Sequence, residues 1–210
     1  MIAFLHTVQQ LKSKFENLVK EHSDDITVKH FVKEDLLTNA LKNGKSDDIL
    51  FNECIDEILK EKPKMIICTC SSYGESSDQL THVLRIDRPI AKYIVANFSK
   101  IGMAYTANST KVISENLLLS EASKINKTIN ILPIDCSNAW KYYESKDFDK
   151  YERSIAETIN ENYKKVDVIF IAQASMQGAI QLLEHIDKPM LTSPEYGVKS
   201  FVEDYLNTKF

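Results

Sequence analysis

Apolar positions along the chain follow two periods. Short runs of consecutive apolar or β-branched residues predict buried strands, and longer stretches with apolar residues three or four positions apart predict helices between them. Short strands that alternate with helices are typical of a parallel sheet covered by helices on both faces. In the first part of the chain this pattern predicts strand, helix, strand, helix and strand at 2–7, 7–20, 26–32, 49–59 and 65–69.

The same order returns in the second part of the chain. The pattern there predicts strand, helix, strand, helix and strand at 101–105, 111–124, 128–134, 148–163 and 166–172. The repetition therefore indicates an α/β protein of two pseudosymmetric halves, each a mainly parallel sheet flanked by helices.

Three short segments match between the halves in the same order. Ile2–Thr7 matches Ile101–Thr106, and Ile86-Asp87-Arg88-Pro89 returns as Ile186-Asp187-Lys188-Pro189. The third match aligns Cys70-Ser71 with Ala174-Ser175. We therefore predict a first half over residues 1–98 and a second half over 99–192, with a C-terminal helix over 193–210 that packs back on the first half.

Polar side chains are concentrated where the predicted strands end. Ligands of parallel α/β sheets bind outside the carboxyl ends of the strands, where backbone N–H groups at helix N-termini attract anions. We therefore expect an active-site cleft between the halves that binds a small carboxylate or amino acid. The expected substrate-binding residues are Thr7, Ser71, Ser72, Thr106, Asn108, Ser109, Thr110, Gln173, Ala174 and Ser175.

Composition narrows the classes of function. The 26 basic and 30 acidic residues give a net charge of −4 without a like-charge block, which argues against nucleic acid or a membrane as partner. The longest apolar runs are far shorter than a membrane span and no signal peptide is recognisable, so we expect a cytoplasmic protein. The four cysteines lack zinc-site spacing, and the first strand-turn-helix lacks the glycines of a nucleotide-binding loop.

Cys70 is the candidate acid, base or nucleophile. It ends a predicted buried strand and precedes a polar turn, where backbone amides could lower its pKa toward the thiolate. Cys54 and Cys68 are expected to be buried structural residues and Cys136 to be structural or incidental. His6 is a second, weaker candidate for assisting proton transfer.

Several segments resemble the aspartate/glutamate/hydantoin racemase superfamily. Cys70-Ser71-Ser72 is similar to its first catalytic segment, and the turn Tyr105–Thr110 looks like the one that opens its second half. Segments 85–89 and 191–198 also resemble members of this group. The resemblance implies two α/β domains with the active site between them, α-proton transfer by a cysteine from each half, no cofactor or metal, and a homodimer.

One departure from that family pattern concerns the second cysteine. Our alignment of the halves places Ala174 where the family carries it, and racemisation needs a base on one face of the carbon and an acid on the other. The expected function is therefore a racemase- or isomerase-like reaction through Cys70, with Ser175, His6 or Glu195 as candidates for the second group. The alternatives are nucleophilic use of Cys70, a decarboxylase or lyase on the same scaffold, and a non-catalytic binding protein that lost its second cysteine.

Overall fold

The computed structural model describes residues 1–207. The last three residues of the helix predicted over 193–210 lie outside this range. The chain divides into two compact units. Unit 1 comprises residues 1–89 together with the C-terminal segment from Pro194, and unit 2 comprises residues 90–193.

Each unit is built on a four-stranded sheet in which every strand pairing is parallel. The strand order is β2-β1-β3-β4 in unit 1 and β6-β5-β7-β8 in unit 2, so the two sheets share one topology. The predicted α/β fold of two similar halves is therefore confirmed. The strands are β1 Ile2–His6, β2 Val28–Val32, β3 Met65–Cys68, β4 Val83–Arg85, β5 Lys100–Tyr105, β6 Asn130–Asp135, β7 Val168–Ile171 and β8 Met190–Thr192.

Helices connect the parallel strands, and four 3-10 segments each follow a strand or a helix. The 3-10 segments are Ser71–Tyr73, Ser137–Ala139, Tyr163–Lys165 and Ala174–Leu183. The α-helices are α1 Leu11–His22, α2 Glu34–Asn43, α3 Asp48–Leu59, α4 Gly74–Asp78, α5 Arg88–Asn97, α6 Asn108–Lys124, α7 Trp140–Glu144, α8 Phe148–Asn162 and α9 Ser193–Asn207.

The predicted strands and helices lie close to where the apolar pattern placed them. The prediction omitted the helices α2, α4, α5 and α7 and the short strands β4 and β8. Each of those strands has only three residues, which is too few for a period to be recognised in the sequence. No helix within residues 1–207 combines the length and apolarity that crossing a membrane would need.

The division of the chain differs from the sequence boundary at residue 98. Helix α5 belongs to unit 2 although it directly follows strand β4 of unit 1. Its buried residues Ile90 and Ile94 pack in one apolar cluster with Met103 of β5 and Leu117 of α6. Conversely, helix α9 belongs to unit 1 although it follows strand β8 of unit 2.

The Ile-Asp-x-Pro match between the halves does not join equivalent positions. Residues 86–89 come after β4 and lead into α5, whereas residues 186–189 come before β8. The structural counterpart of Pro89 is Pro194, because each is the second residue of the helix that follows the fourth strand. Proline is favoured there, since the first turn of a helix leaves its N–H groups without intrahelical partners. The similarity of the halves thus rests on topology and not on this motif.

Candidate functional site

Cys70 lies at the carboxyl edge of the unit 1 sheet, directly before the 3-10 turn Ser71–Tyr73. The sulfur accepts hydrogen bonds from the hydroxyl and backbone N–H of Ser72, and it shares the backbone N–H of Tyr73 with the Cys70 carbonyl oxygen, which lies 3.0 Å from that nitrogen. The Thr7 hydroxyl, which follows the neighbouring parallel strand β1, donates a further bond to it. Two adjacent strand ends and one tight turn therefore direct four donors at a single sulfur.

Burial dominates the acidity of this thiol. Cys70 is only 9% exposed, and its removal from water raises the pKa of the thiol above the ordinary value. The bonds from Thr7, Ser72 and Tyr73 act in the opposite direction but do not outweigh burial. The expectation of a net lowered pKa was therefore wrong. Cys70 is a thiol at neutral pH whose surroundings are equipped to hold a thiolate when one forms.

The other cysteines lie in apolar surroundings, as expected for structural residues. Burial raises the pKa of Cys68 and of Cys136 to about 12 and also raises that of Cys54. Cys54 and Cys68 pack in the same apolar cluster as Cys70, together with Phe51 and Ile55 of α3. Cys70 differs from Cys68 in accepting from four donors, against two for Cys68.

A buried ion-pair network supports the turn that carries these donors. Arg85 of β4 is paired in register with Cys68 of β3 and is almost fully buried. Its Nε and Nη2 donate to the two carboxylate oxygens of Asp87 at 2.7 and 3.0 Å, and its Nη1 donates to Asp78 Oδ2 at 2.9 Å. The guanidinium lies so close to Gly74 that a Cβ there would overlap it. A side chain at position 74 would therefore displace the guanidinium of Arg85 from its carboxylate partners.

Unit 2 presents an amide at the corresponding edge of its sheet. The Gln173 side-chain oxygen accepts from the Thr106 backbone N–H at 2.7 Å, the Thr106 hydroxyl at 3.1 Å and the Ala107 backbone N–H at 3.2 Å. The buried Tyr151 hydroxyl lies 3.3 Å from Thr106 Oγ1 and 3.3 Å from Ser175 Oγ. Burial raises the pKa of Tyr151 to about 12. Polar side chains thus fasten the ends of β5 and β7 to each other.

The structural counterpart of Cys70 is Gln173 and not Ala174. Both residues lie two positions after the last paired residue of their strand, since Leu5 pairs with Cys68 and Ala104 pairs with Ile171. Both immediately precede a 3-10 segment, and each carbonyl accepts from the N–H three residues later, at 3.0 and 3.1 Å. The sequence alignment of the halves was one residue out of register at this point.

The equivalence extends to the partner threonines. Thr7 and Thr106 each follow the central strand of their sheet by one position. Thr7 donates its hydroxyl to the Cys70 sulfur, and Thr106 donates its hydroxyl to the Gln173 oxygen. Both units therefore contain the same threonine-to-acceptor hydrogen bond, with sulfur as the acceptor in one and an amide oxygen in the other.

The remaining predicted binding residues lie near these two sets of contacts. Ser71 is buried in the turn after Cys70, and Ala174 is the buried first residue of the 3-10 segment after Gln173. Three further residues form the first turn of α6 at the edge where β5 ends, and only the first of them is exposed: Asn108, Ser109 and Thr110.

The candidates for a second proton-transfer group are engaged elsewhere. Both ring nitrogens of His6 are hydrogen-bonded, and burial lowers its pKa to about 3. The Ser175 hydroxyl is bonded to Tyr151, and Glu195 on α9 forms an ion pair with Lys14 of α1. Within residues 1–207 no group of three or more His, Cys, Asp or Glu side chains is arranged to bind a metal ion.

Three residues at these edges were not predicted from the sequence. They are Tyr73, which contributes its backbone N–H, and Tyr151 and Arg85, which contribute side chains from elements remote in sequence from the strand ends. A backbone donor has no signature in residue type, and Tyr151 reads as an ordinary apolar position of a helix. Arg85 was noticed only as part of a segment that resembles a family motif.

Solved structures with a similar fold were found for nearly the whole chain. An aspartate racemase from Picrophilus torridus matches with a TM-score of 0.75 at 15% identity, over 97% of this chain and 93% of that one. A glutamate racemase from Francisella tularensis, solved with D-glutamate, matches with a TM-score of 0.72 at 11% identity, over 100% and 83%. An allantoin racemase from Klebsiella pneumoniae matches with a TM-score of 0.59 at 12% identity, over 98% and 86%.

Comparison of the sequence with protein-family models gave no match, and comparison with curated proteins gave none either. Similarity at 11–15% identity is evidence about the backbone and not about the chemistry. The resemblance inferred from short sequence segments is thereby confirmed at the level of structure. The chain has the fold of the aspartate, glutamate and allantoin racemases.

Proposed function

We propose that this protein is a racemase- or isomerase-like enzyme that moves the α proton of a small amino or carboxylic acid through Cys70, without pyridoxal phosphate or a metal. The observation that carries the proposal is the arrangement of Thr7, Ser72 and Tyr73 donors around one sulfur at the carboxyl edge of a parallel sheet. The similarity of the fold to proteins named as racemases supports it.

The groups that surround this sulfur stabilise its charged form during proton transfer. As a thiolate, Cys70 takes the proton from the α carbon, the C–H electron pair moves into the substrate as an enolate-like carbanion, and the sulfur becomes a thiol. The Thr7 and Ser72 hydroxyls and the amides of the turn offset part of the cost of the negative sulfur before transfer. A proton that the thiol returns to the same face restores the original configuration and accounts for α-proton exchange alone, so inversion also requires a proton delivered to the opposite face of the carbanion.

The same proposal assigns substrate binding to the polar strand ends of both units. Backbone N–H groups and hydroxyls are suited to carboxylates, and the first turn of α6 carries both kinds of group at the edge where β5 ends. The proposed binding residues are Thr7, Ser71 and Ser72 of unit 1 and Thr106, Asn108, Ser109, Thr110, Gln173, Ala174 and Ser175 of unit 2.

A second candidate reaction is decarboxylation or another lyase step on the same scaffold. Two observations favour it. Burial keeps Cys70 in the protonated form that would deliver a proton to a carbanion, and the position equivalent to Cys70 holds Gln173, whose amide neither gives nor takes a proton at neutral pH. Such an enzyme would form a product of a single handedness, because only one group can protonate the carbanion.

Deuterium exchange tests the proposal directly. The full-length protein is incubated in D₂O with amino acids, dicarboxylic acids and hydantoins, and loss of the α-proton signal is followed by NMR. We expect exchange with at least one compound, and a fall of about 10²- to 10⁴-fold in Cys70→Ser, as is usual for loss of an acid–base group. Cys136→Ser is the matched control and should retain the full rate, because Cys136 lies outside the donor arrangement.

The possible outcomes separate the alternatives. Product of one configuration from a malonate-type diacid, with no α-proton exchange, would favour the lyase. Thermal stabilisation by a carboxylate that persists in Cys70→Ser, without turnover of any compound, would replace the enzyme proposal by a non-catalytic binding protein. Exchange that survives Cys70→Ser would remove Cys70 from the mechanism.

A further inference from the structure

A chain of hydrogen bonds runs behind Cys70 on the α1 side of the unit 1 sheet. His30 Nδ1 lies 2.8 Å from His6 Nε2, and His6 Nδ1 lies 2.9 Å from Thr69 Oγ1. Thr69 Oγ1 in turn lies 3.1 Å from the carbonyl oxygen of Leu5. The rings of His6 and His30 stack on each other and on Phe4, so the chain is embedded in aromatic packing.

The direction of donation along this chain follows from counting hydrogen bonds. The Thr69 hydroxyl has one proton, and donating it to the Leu5 carbonyl leaves its oxygen to accept from His6 Nδ1–H. His6 then accepts at Nε2 from His30 Nδ1–H, which gives three bonds. The reverse direction gives only two and leaves a buried His30 N–H without an acceptor among residues 1–207. The three-bond arrangement is therefore the stable one.

The chain acts on the two residues that come directly before the site. Strand pairing between β1 and β3 ends at Leu5 and Cys68. Beyond that pair, the Thr69 backbone N–H donates to the Leu5 carbonyl at 3.0 Å, and the His6–Thr69 contact adds a side-chain tie at the next level. The next residue of each strand end is Thr7 and Cys70, the pair that shares the hydroxyl-to-sulfur bond.

Unit 2 shows what happens where this tie is missing. The positions equivalent to His6 and Thr69 are Tyr105 and Ala172, and alanine has no polar side chain with which to make the contact. There the strand ends are joined by Gln173 itself, through its bonds to Thr106 and Ala107. The side chain that is equivalent to Cys70 is thereby used to hold the backbone.

We propose that the His30–His6–Thr69 chain is a positioning device that holds the Thr7 hydroxyl on the Cys70 sulfur, so that the residue at position 70 is left free to carry a reactive thiol. None of the three is a catalytic residue in this scheme. His30 fixes the tautomer of His6, and His6 fixes the end of β3 through Thr69, as an outer partner orients a functional ligand. The inference deepens the proposed function and rests on it for the role of Cys70.

The test measures the Cys70 thiol and not turnover. Thr69→Val removes the hydroxyl and nearly conserves shape, and Thr69→Ser is the matched control that keeps it. The rate of Cys70 alkylation by iodoacetamide is measured against pH on the full chain, with the modified peptide identified by mass spectrometry. We expect the thiol pKa in Thr69→Val to rise toward one unit, which lowers alkylation at pH 8 by up to about tenfold, because a hydrogen bond to the thiolate is weakened. Thr69→Ser should keep the wild-type profile.

A second variant protects the test from a folding defect. His30→Leu lies on the half-buried edge strand β2, leaves Thr69 intact and removes the donor to His6 together with the ring stacking of His30. It should raise the Cys70 pKa in the same direction and by less. A pH profile unchanged in both folded variants, with only the melting temperature reduced, would reduce the chain to a structural role and overturn the inference. Lack of proton exchange in the wild type would contradict the proposed function and leave the alkylation result standing.

Discussion

The two units tie the ends of their central strands together in different ways. In unit 1 the tie is the His6–Thr69 contact, which lies one residue behind the site and leaves Cys70 to accept donors. In unit 2 the tie is made by Gln173 at the site position, whose oxygen accepts three bonds from the neighbouring turn. One topology thus carries a hydrogen-bonded thiol at this position in unit 1 and an amide that joins the strand ends in unit 2.

The comparison shows that two units of the same topology use the equivalent positions 70 and 173 in different ways. Gln173 holds the strand ends of unit 2 with its own side chain, whereas the strand ends beside Cys70 are held by His6 and Thr69. The His6–Thr69 contact lies on the other face of the sheet, so the side chain at position 70 is not needed to hold the strand ends. The structural difference between the two edges therefore begins one position before Cys70 and Gln173, at Thr69 and Ala172.

The largest expected contrast concerns the fourth strands. Arg85 and Thr192 are equivalent, since they pair in register with Cys68 and Ile171. Arg85→Met should lower the free energy of unfolding by about 3–5 kcal/mol, because it leaves the buried Asp87 carboxylate without its partner. Thr192→Val should change it by less than about 0.5 kcal/mol or raise it, because within residues 1–207 its buried hydroxyl oxygen has no hydrogen-bond partner.

Urea denaturation followed by circular dichroism measures both variants. An Arg85→Met protein as stable as the wild type would show that the ion pairs at Asp87 and Asp78 only compensate their own desolvation. The Asp87→Asn variant, which keeps the shape of the partner, should lie between the wild type and Arg85→Met.

The next contrast compares the loss of stability with the loss of proton exchange at the equivalent positions 173 and 70. Gln173→Ala should lower the free energy of unfolding by about 2 kcal/mol, because the Thr106 and Ala107 N–H groups lose their acceptor. Cys70→Ala should cost only about 1 kcal/mol, since the His6–Thr69 tie remains and a small group is lost. Proton exchange should show the reverse order, with Cys70→Ala inactive and Gln173→Ala partly active.

Thermal unfolding and the NMR exchange assay measure the two quantities on the same samples. Equal destabilisation of both variants would mean that Gln173 does not hold the unit 2 edge. Gln173→Glu, which keeps the acceptor oxygens, serves as the conservative control and should lose less stability than Gln173→Ala.

The sequence predicted the fold well because its signals are periodic and redundant. Apolar strands such as 65–69 and 166–172 that alternate with helices are typical of a parallel sheet covered on both faces, and their repetition along the chain is visible without any single motif. The motif that looked most specific, Ile-Asp-x-Pro, joined positions on opposite sides of the fourth strand. Short matches are therefore weaker evidence of duplication than the order of elements.

The candidate site was less predictable because it depends on register and on burial. The strand ends match at Thr69 and Ala172, but residue similarity favoured aligning Ser71 with Ser175, which moved the counterpart of Cys70 by one position. The pKa of Cys70 depends on how much water the folded chain removes, and adjacent amides alone do not give its sign.

The smallest expected contrast is in acid sensitivity. The pKa of His6 is lowered to about 3, first by burial and then by the charges of His30 and Lys12, so the unfolded chain binds this proton more readily than the folded one. The stabilisation is therefore complete above about pH 6.5 and is lost as pH falls toward 3. The slope of unfolding free energy against pH between 4.5 and 6.5 should approach about 1.4 kcal/mol per pH unit from His6, and His6→Gln should remove that part.

The equivalent Tyr105, whose pKa is raised to about 12, does not titrate in this window, so Tyr105→Phe should leave the slope unchanged. Urea unfolding at a series of pH values measures all three slopes, and equal slopes in the wild type and His6→Gln would show that His6 is not the acid-sensitive group of unit 1.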